Sequence, residues 1–168
     1  MSVLFLSLAL AGCGEERELS CEDYFVETYN LDTIDHYGCS LSHMQCGATA
    51  VERSVSTRVE GGGYQERYAS DETVELVARL ENNTDEEVSY TSVGCLVNSI
   101  DIDGPETGVS ISADCFSETT WTLESGETLE AAVEGMEADR YGEGLVRAQL
   151  IFSSSEGNCC RCTQWRVE

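Results

Sequence analysis

The stretch TVELVARLE, Thr73 to Glu81, decides the fold of this 168-residue chain. Apolar side chains occupy every second position in it: Val74, Leu76, Ala78 and Leu80. The positions between them are mostly charged, as Glu75 and Arg79 show. Because side chains alternate between the two faces of a strand, this period of two predicts a β-strand with one buried face and one face in water.

Short stretches of the same kind follow almost to the end of the chain. They are EVSYTSV (87–93), CLVNSIDI (95–102), GVSISADCF (108–116), TTWTL (119–123), TLEAAVE (128–134) and GLVRAQLIF (144–152). Turn-forming residues separate them, for example at 103–105 and 124–127. Short strands at such regular spacing predict an antiparallel β-sandwich, which we place at residues 50–168.

Two further segments predict turns. The glycines Gly61 to Gly63 separate VSTRVE from YQERY and indicate a hairpin turn, a bulge or a flexible loop. The sequence Asn82-Asn83-Thr84 is formally a glycosylation acceptor. We interpret it as a turn in which asparagine side chains bind their own backbone.

The order of several motifs resembles that of immunoglobulin-like domains of bacterial envelope proteins, to which the intracellular proteinase inhibitor (BsuPI-type) family is close in pattern. The motifs are LENNTDEEVSY (80–90), GC (94–95), IDIDG (100–104), Cys115, WTLESGETLEA (121–131) and GLVRAQLIF (144–152). The resemblance covers about residues 72–153 and implies an immunoglobulin-like antiparallel β-sandwich. It carries over no inhibitory residue. In relatives of this pattern two cysteines face each other, which implies a bond between Cys95 and Cys115.

The chain begins with an apolar run, Ser2 to Gly12, that is too short to span a bilayer but suits an export signal. Its end, Leu10-Ala11-Gly12-Cys13, resembles the lipobox of bacterial lipoproteins. The resemblance implies that the Cys13 thiol receives a diacylglycerol and that the chain is cut before it. We therefore predict a lipoprotein signal peptide at 1–12, a tether at 13–20 and a lipid anchor in the cell envelope.

Residue 14 is relevant to the choice of membrane. It is a glycine and not an aspartate, which predicts the outer membrane if the host has two membranes, by analogy with the sorting rule of some enteric bacteria.

Nine cysteines are many for this length, and export favours disulfides. If Cys13 carries lipid, an even set of eight remains for disulfides: Cys21, Cys39, Cys46, Cys95, Cys115, Cys159, Cys160 and Cys162. With Cys95 and Cys115 paired as the resemblance implies, three cysteines precede the sandwich and three follow it. An odd set cannot pair within itself, so we expect the cysteine-rich segment 21–49 to be strapped to the C-terminal hairpin by at least one bridge.

The same segment carries an alternative. His36, Cys39, His43 and Cys46 share one face if the segment is helical, and their side chains suit zinc or copper. Four ligands on one helical face cannot surround an ion tetrahedrally without a turn, and export favours disulfides for both cysteines. Residues 101–106 similarly resemble the opening of a calcium loop but lack its later acidic ligands. We therefore expect no metal or cofactor.

Charge and the absent motifs restrict the function. Thirty-two acidic residues oppose nine basic ones, all arginine, and the net charge of −23 repels nucleic acid. The sequence contains no serine elbow, no HExxH and no phosphate loop, so we expect no catalytic residues and no enzyme.

The sequence thus predicts a lipid-anchored, disulfide-stabilised module that binds a protein or glycan at the cell envelope. One alternative is an inhibitor of an envelope or secreted protease, presenting the loop SVGC (92–95) or MEADRYGEG (136–144). A second alternative is a metal-binding envelope protein that uses His36, Cys39, His43 and Cys46.

Overall fold

A computed structural model of the protein describes residues 19–29, 50–92, 94–112, 117–155 and 157–168. In chain order the described helix and strands are α1 (Cys21–Tyr29), β1 (Val51–Val59), β2 (Arg67–Tyr68), β3 (Thr73–Asn82), β4 (Val88–Ser92), β5 (Val97–Asp103), β6 (Gly108–Ser112), β7 (Thr119–Leu123), β8 (Thr128–Glu137), β9 (Gly144–Phe152) and β10 (Cys159–Val167). A short 3₁₀ helix, Ala138–Tyr141, joins β8 to β9.

The strand that decides the fold, β3, lies at the centre of a three-stranded antiparallel sheet between β1 and β8. All four of its alternating apolar side chains are fully buried: Val74, Leu76, Ala78 and Leu80. Glu75 and Arg79 are partly exposed on the opposite face. The period of two in the sequence is therefore confirmed, with the exception of Val77, which is also fully buried although it lies on the side of Glu75 and Arg79.

A second sheet has the order β2-β10-β9-β5-β6 and packs on the first, while β4 pairs with β7. In immunoglobulin nomenclature β1, β3 and β8 take the places of strands A, B and E, and β10, β9, β5 and β6 those of G, F, C and C′. The strand in place D, β7, pairs with β4 and not with β8. The prediction of an all-β, immunoglobulin-like antiparallel sandwich is confirmed, except that the short β2 runs parallel to β10.

Large side chains from both sheets fill the space between them. Trp165 and Phe152 come from β10 and β9, and Tyr68 comes from the short β2. Burial of an apolar side chain such as Phe152 contributes about 1.5 to 3 kcal/mol relative to exposure in water. The core therefore gives the sandwich a stability that does not depend on the N-terminal segment alone.

Glycine is required at one turn of the second sheet. A Cβ atom on Gly104, between β5 and β6, would lie 2.5 Å from the Cβ atom of Tyr141 and 2.7 Å from its carbonyl oxygen. A Cβ atom does not approach non-bonded atoms this closely, so the turn and the 3₁₀ helix can pack together only because residue 104 has no side chain.

The helix α1, which the sequence analysis did not predict, packs on the outer face of the five-stranded sheet. Ser20 caps it: the Asp23 amide donates to Ser20 Oγ at 3.1 Å. Phe25, one turn further on, is fully buried against Ile151 and Cys160. Nonlocal packing and a cap thus stabilise a helix too short to persist alone.

A disulfide joins Cys21, at the start of α1, to Cys162 in β10, with 5.9 Å between the Cα atoms. The prediction that the N-terminal segment is strapped to the C-terminal hairpin is confirmed. The bridge closes a loop with a sequence separation of 141 residues. In the chain-entropy account a loop of this size stabilises the folded state by about 5 kcal/mol.

The predicted signal peptide and most of the predicted tether lie outside the described residues, as do residues 30–49. Of the helices in the described ranges, none has both the length and the apolar character that crossing a membrane requires.

Candidate functional site

A cleft of about 500 Å³ opens where β1 and β10, one from each sheet, face each other across the side of the sandwich. We call it the edge cleft. Its lining residues are Val55, Ser56, Thr57, Tyr64, Gln65, Glu66, Arg79 and Thr163. Two other clefts are smaller, at about 60 Å³ beside the start of β1 and about 190 Å³ beside β2 and the end of β10.

The turn at Gly61 to Gly63 builds one wall of the edge cleft. The Val59 amide donates to the Gly63 carbonyl at 3.2 Å, and Gly61 has a φ of 67°, which favours glycine. The chain therefore folds back beside β1, and Tyr64 forms a β-bridge with Arg58. The three glycines thus form a tight turn.

Gln65 fixes this wall to β1. Its amide donates to the Thr57 carbonyl at 3.2 Å, and its own carbonyl accepts the Thr57 hydroxyl at 2.7 Å. The Tyr68 hydroxyl donates to the same carbonyl at 2.8 Å. Three hydrogen bonds therefore hold the wall, so the cleft is a preformed feature of the sandwich.

Among the described residues, Tyr64 is the large hydrophobic residue that is exposed, with 52% of its surface accessible to solvent. A hydrogen bond to the Glu130 carboxylate, and to a smaller degree burial, raises the pKa of the Tyr64 phenol. The phenol is therefore protonated at neutral pH, and its ring stands beside polar groups. Such a ring can stack on a cation, a sugar or an apolar side chain.

Ion pairs surround Tyr64 on the outer face of the three-stranded sheet. Arg58 contacts Glu75 at 2.6 Å, and Arg79 lies 3.5 Å from Glu81 and 3.9 Å from Glu130. Both arginines are therefore balanced by carboxylates. The whole chain has a net charge of −23, and at long range this charge attracts a cationic partner.

The eight lining residues include hydroxyl, amide, carboxylate and guanidinium groups but no histidine and no cysteine. Across the described residues, no cluster of three or more histidine, cysteine or acidic side chains could hold a metal ion. The chemistry that the edge cleft offers is therefore hydrogen bonding, stacking and charge.

The structure places only some of the predicted site residues. Cys21 and Cys162 are bonded to each other, and Cys95, Cys159 and Cys160 are also disulfide-bonded. The remaining candidates lie outside the described residues: Cys13, His36, Cys39, His43, Cys46 and Cys115. Lipidation at Cys13, the Cys95–Cys115 pairing and the metal alternative therefore stay predictions.

One loop named for the inhibitor alternative is not an extended segment. In MEADRYGEG the chain ends β8 and turns through the 3₁₀ helix, where Ala138 and Tyr141 are buried. The Ala138 amide donates to the Glu72 carbonyl at 2.9 Å, and the Tyr141 carbonyl accepts the Glu106 amide at 3.2 Å. In the other loop, SVGC, Val93 lies outside the described residues.

The acidic residues at 101 and 103 have hydroxyl partners. The Ser110 hydroxyl donates to Asp101, and the Tyr24 hydroxyl of α1 donates to Asp103. Burial, followed by the bond to Asp103, raises the pKa of the Tyr24 phenol, while the Arg147 guanidinium lies 4.1 Å from the centre of its ring. These carboxylates thus help to hold α1 and the turn between β5 and β6.

Sequence reasoning missed the edge cleft. Its elements are visible as a strand with polar positions, VSTRV, followed by three glycines and an aromatic residue. The cleft itself depends on which edge of β1 stays unpaired, and that is decided by strands distant in sequence.

No family model matches the chain, and no curated protein matches it. Solved structures with some likeness include a β-glucosidase from Listeria innocua in complex with isofagomine, with 12% identity, a TM-score of 0.35 and coverage of 72% of this chain and 17% of that one. A β-glucosidase from Erythrobacter marinus has 8% identity and a TM-score of 0.36, and the match covers 70% of this chain and 16% of that one. The alkylpurine DNA glycosylase AlkC of Pseudomonas fluorescens, bound to DNA containing an abasic site analog, has 9% identity and a TM-score of 0.35. The match covers 71% of this chain and 30% of that one.

The chain therefore spans less than a third of each of these structures. At TM-scores this low, the likeness carries no argument about function.

Proposed function

We propose that the chain is a lipid-anchored, disulfide-stabilised and non-catalytic binding module of the cell envelope, attached through Cys13. The edge cleft is its binding site. The observation that carries this proposal is the cleft beside the exposed ring of Tyr64, with a wall held by hydrogen bonds to β1. A concave, preformed site with a few placed polar groups is the usual form of a ligand site.

Two features support the envelope location. The lipobox-like Leu10-Ala11-Gly12-Cys13 follows an apolar run typical of an export signal. The acidic surface would be repelled by anionic lipid headgroups, which keeps the sandwich away from the bilayer at the end of its tether. In that position the edge cleft is accessible to other envelope components.

Cys13→Ser is expected to abolish lipid attachment, because the acceptor thiol is lost. Cells that express the wild type or the variant would be fed an alkyne fatty acid, and the labelled protein would be detected after coupling to a fluorophore. We expect label and membrane sedimentation only for the wild type. Label that persists in Cys13→Ser would contradict the anchor, and Ser2→Ala would serve as the matched control within the signal region.

A photo-cross-linking residue at Glu66 is expected to capture a specific envelope component, since Glu66 is exposed at the rim of the edge cleft. The same residue placed at exposed Glu118, beside β7, is the matched control. Adding Tyr64→Ala to the Glu66 probe should lower the yield of the adduct at least threefold, because the stacking ring is lost.

Adducts are resolved by mass after irradiation of intact cells. Equal adducts from positions 66 and 118 would contradict the edge cleft as the binding site. A protease as the captured component would indicate an inhibitor that acts through the edge cleft and not through the loops at 92–95 or 136–144.

A further inference from the structure

The backbone of β1 has an unpaired window that opens into the edge cleft. In β1 the even-numbered residues direct their backbone groups to β3, and the ladder continues to Glu60, whose amide donates to the Thr73 carbonyl at 3.0 Å. Because backbone groups alternate in direction along a strand, the odd-numbered residues point away from β3, toward the free edge.

Both ends of this free edge are capped. On one side the Thr57 carbonyl accepts the Gln65 amide, and the Val59 amide donates to Gly63. On the other side the Arg161 guanidinium Nε donates to the Arg53 carbonyl at 2.8 Å. These caps leave Val55 between them.

Val55 is a half-buried lining residue of the cleft. In the parts of the chain that the structure describes, neither its outward N–H nor its outward C=O has a hydrogen-bond partner. A donor and an acceptor on one residue, at the edge of a sheet, match one residue of an added strand.

We infer that the edge cleft binds an extended, basic polypeptide segment of another protein, which adds to the edge of β1 at Val55. This inference rests on the proposed function and names the class of partner. The added segment would hydrogen-bond to Val55 and pass between β1 and Thr163 of β10. The caps at Arg53 and Thr57 restrict the pairing to a short window.

The negative charge of this chain favours an added segment that is basic. Glu66 is exposed at the rim, and the chain as a whole carries a net charge of −23. An arginine or lysine on the added segment gains attraction to this surface, and a guanidinium can stack on the exposed ring of Tyr64. A second copy of the chain would bring the same negative charge, so self-pairing at this edge is disfavoured.

The test uses the full, disulfide-bonded chain and a synthetic nine-residue peptide in which arginine alternates with threonine or valine. Its twin has the same side chains and charge but carries an N-methyl group on every backbone amide, which removes the hydrogen-bond donors on both edges of the peptide strand. We expect the twin to bind about tenfold more weakly, because it cannot donate the backbone hydrogen bond. We also expect the plain peptide to slow hydrogen exchange at the Val55 amide at least tenfold.

Two variants of the chain complete the test. Val55→Pro removes the outward N–H but leaves the bonds to β3, since those come from even-numbered residues, and proline is tolerated at a strand edge. Val55→Ala keeps the N–H and is the matched control. Peptide binding should be lost in the first and stay within about threefold in the second.

Equal binding of the plain and N-methylated peptides would overturn the inference, whether or not Val55→Pro folds. Unchanged exchange at Val55 would overturn it as well. If the chain forms concentration-dependent dimers that Val55→Pro abolishes, the occupant of the β1 edge is a second copy of the chain and not a basic segment. If neutral oligosaccharides such as cellohexaose protect the cleft and the peptide does not, the inference fails while the proposed binding function stands.

Discussion

Asn82→Asp is expected to lower the free energy of unfolding by about 4 kcal/mol. Asn82 is fully buried, and its side-chain amide donates to the carbonyls of Glu86 at 2.8 Å and of Leu123 and Glu124 at 3.0 Å. In a carboxylate at this position, the oxygen that replaces the amide nitrogen would face three carbonyl acceptors without a donor or a cation. An unpaired buried charge costs several kcal/mol, which is a large part of the total stability of a domain.

The exposed neighbour provides the matched control. Asn83→Asp makes the same change of charge, but Asn83 lies at the surface and contacts only the Glu52 carboxylate, at 2.6 Å, among the bonds that the structure gives. Its cost should stay below about 1 kcal/mol. Urea denaturation followed by the intrinsic fluorescence of the two tryptophans, Trp121 and Trp165, measures both variants. Equal midpoints for Asn82→Asp and Asn83→Asp would contradict the role assigned to the buried amide.

Cutting the chain at the glycine turn is expected to release no fragment until reductant is added. A protease site inserted between Gly62 and Gly63 lies in exposed backbone. A Cβ atom added to Gly61 or Gly63 would have no other atom within 4 Å, so there is space around the insertion. The Cys21–Cys162 bond crosses the cut. The cleaved protein should therefore migrate as one species in denaturant and as two after reduction.

The uncut chain without the protease site is the control for migration. Complete separation in denaturant alone would contradict a bridge across the cut. The variant Cys21→Ser/Cys162→Ser, cut in the same way, measures whether Cys159 or Cys160, which are also disulfide-bonded, contributes a second link across the cut.

Much of the sandwich is predictable because its strands alternate strongly. The stretches TTWTL and GLVRAQLIF coincide with β7 and β9, and TVELVARLE coincides with β3 apart from its last residue. The turn at Asn82 is also predictable from the sequence. The side-chain oxygen Oδ1 of Asn82 accepts the Thr84 amide at 2.9 Å, a bond that asparagine commonly forms in turns. For the strands and for this turn, the sequence pattern that predicts the element lies within ten residues of it.

The parts that were missed depend on distant residues. The helix α1 has only nine residues, and Phe25 becomes a core residue only because β9 and β10 supply its contacts. The one local signal for it was Ser20 followed three residues later by Asp23, a pattern typical of a helix start.

The edge cleft was missed for a related reason. Its existence follows from the register of β1 on β3, from the turn at Gly61 and from the separation of β1 and β10 at Thr163. None of these is encoded in a single window of sequence, because strand register is set by the partners.

The bond between Cys21 and Cys162 also decides how the molecule responds to mechanical load. Tension applied from the N-terminal side reaches Cys21 first and passes through the covalent bond into β10, so α1 is not unwound before the sheet is loaded. β10 is joined to β9 by nine residue pairs and to β2 by two, so the pull is shared along a ladder of backbone hydrogen bonds. A domain tethered at that end would therefore resist stretching as a unit until its disulfide is reduced.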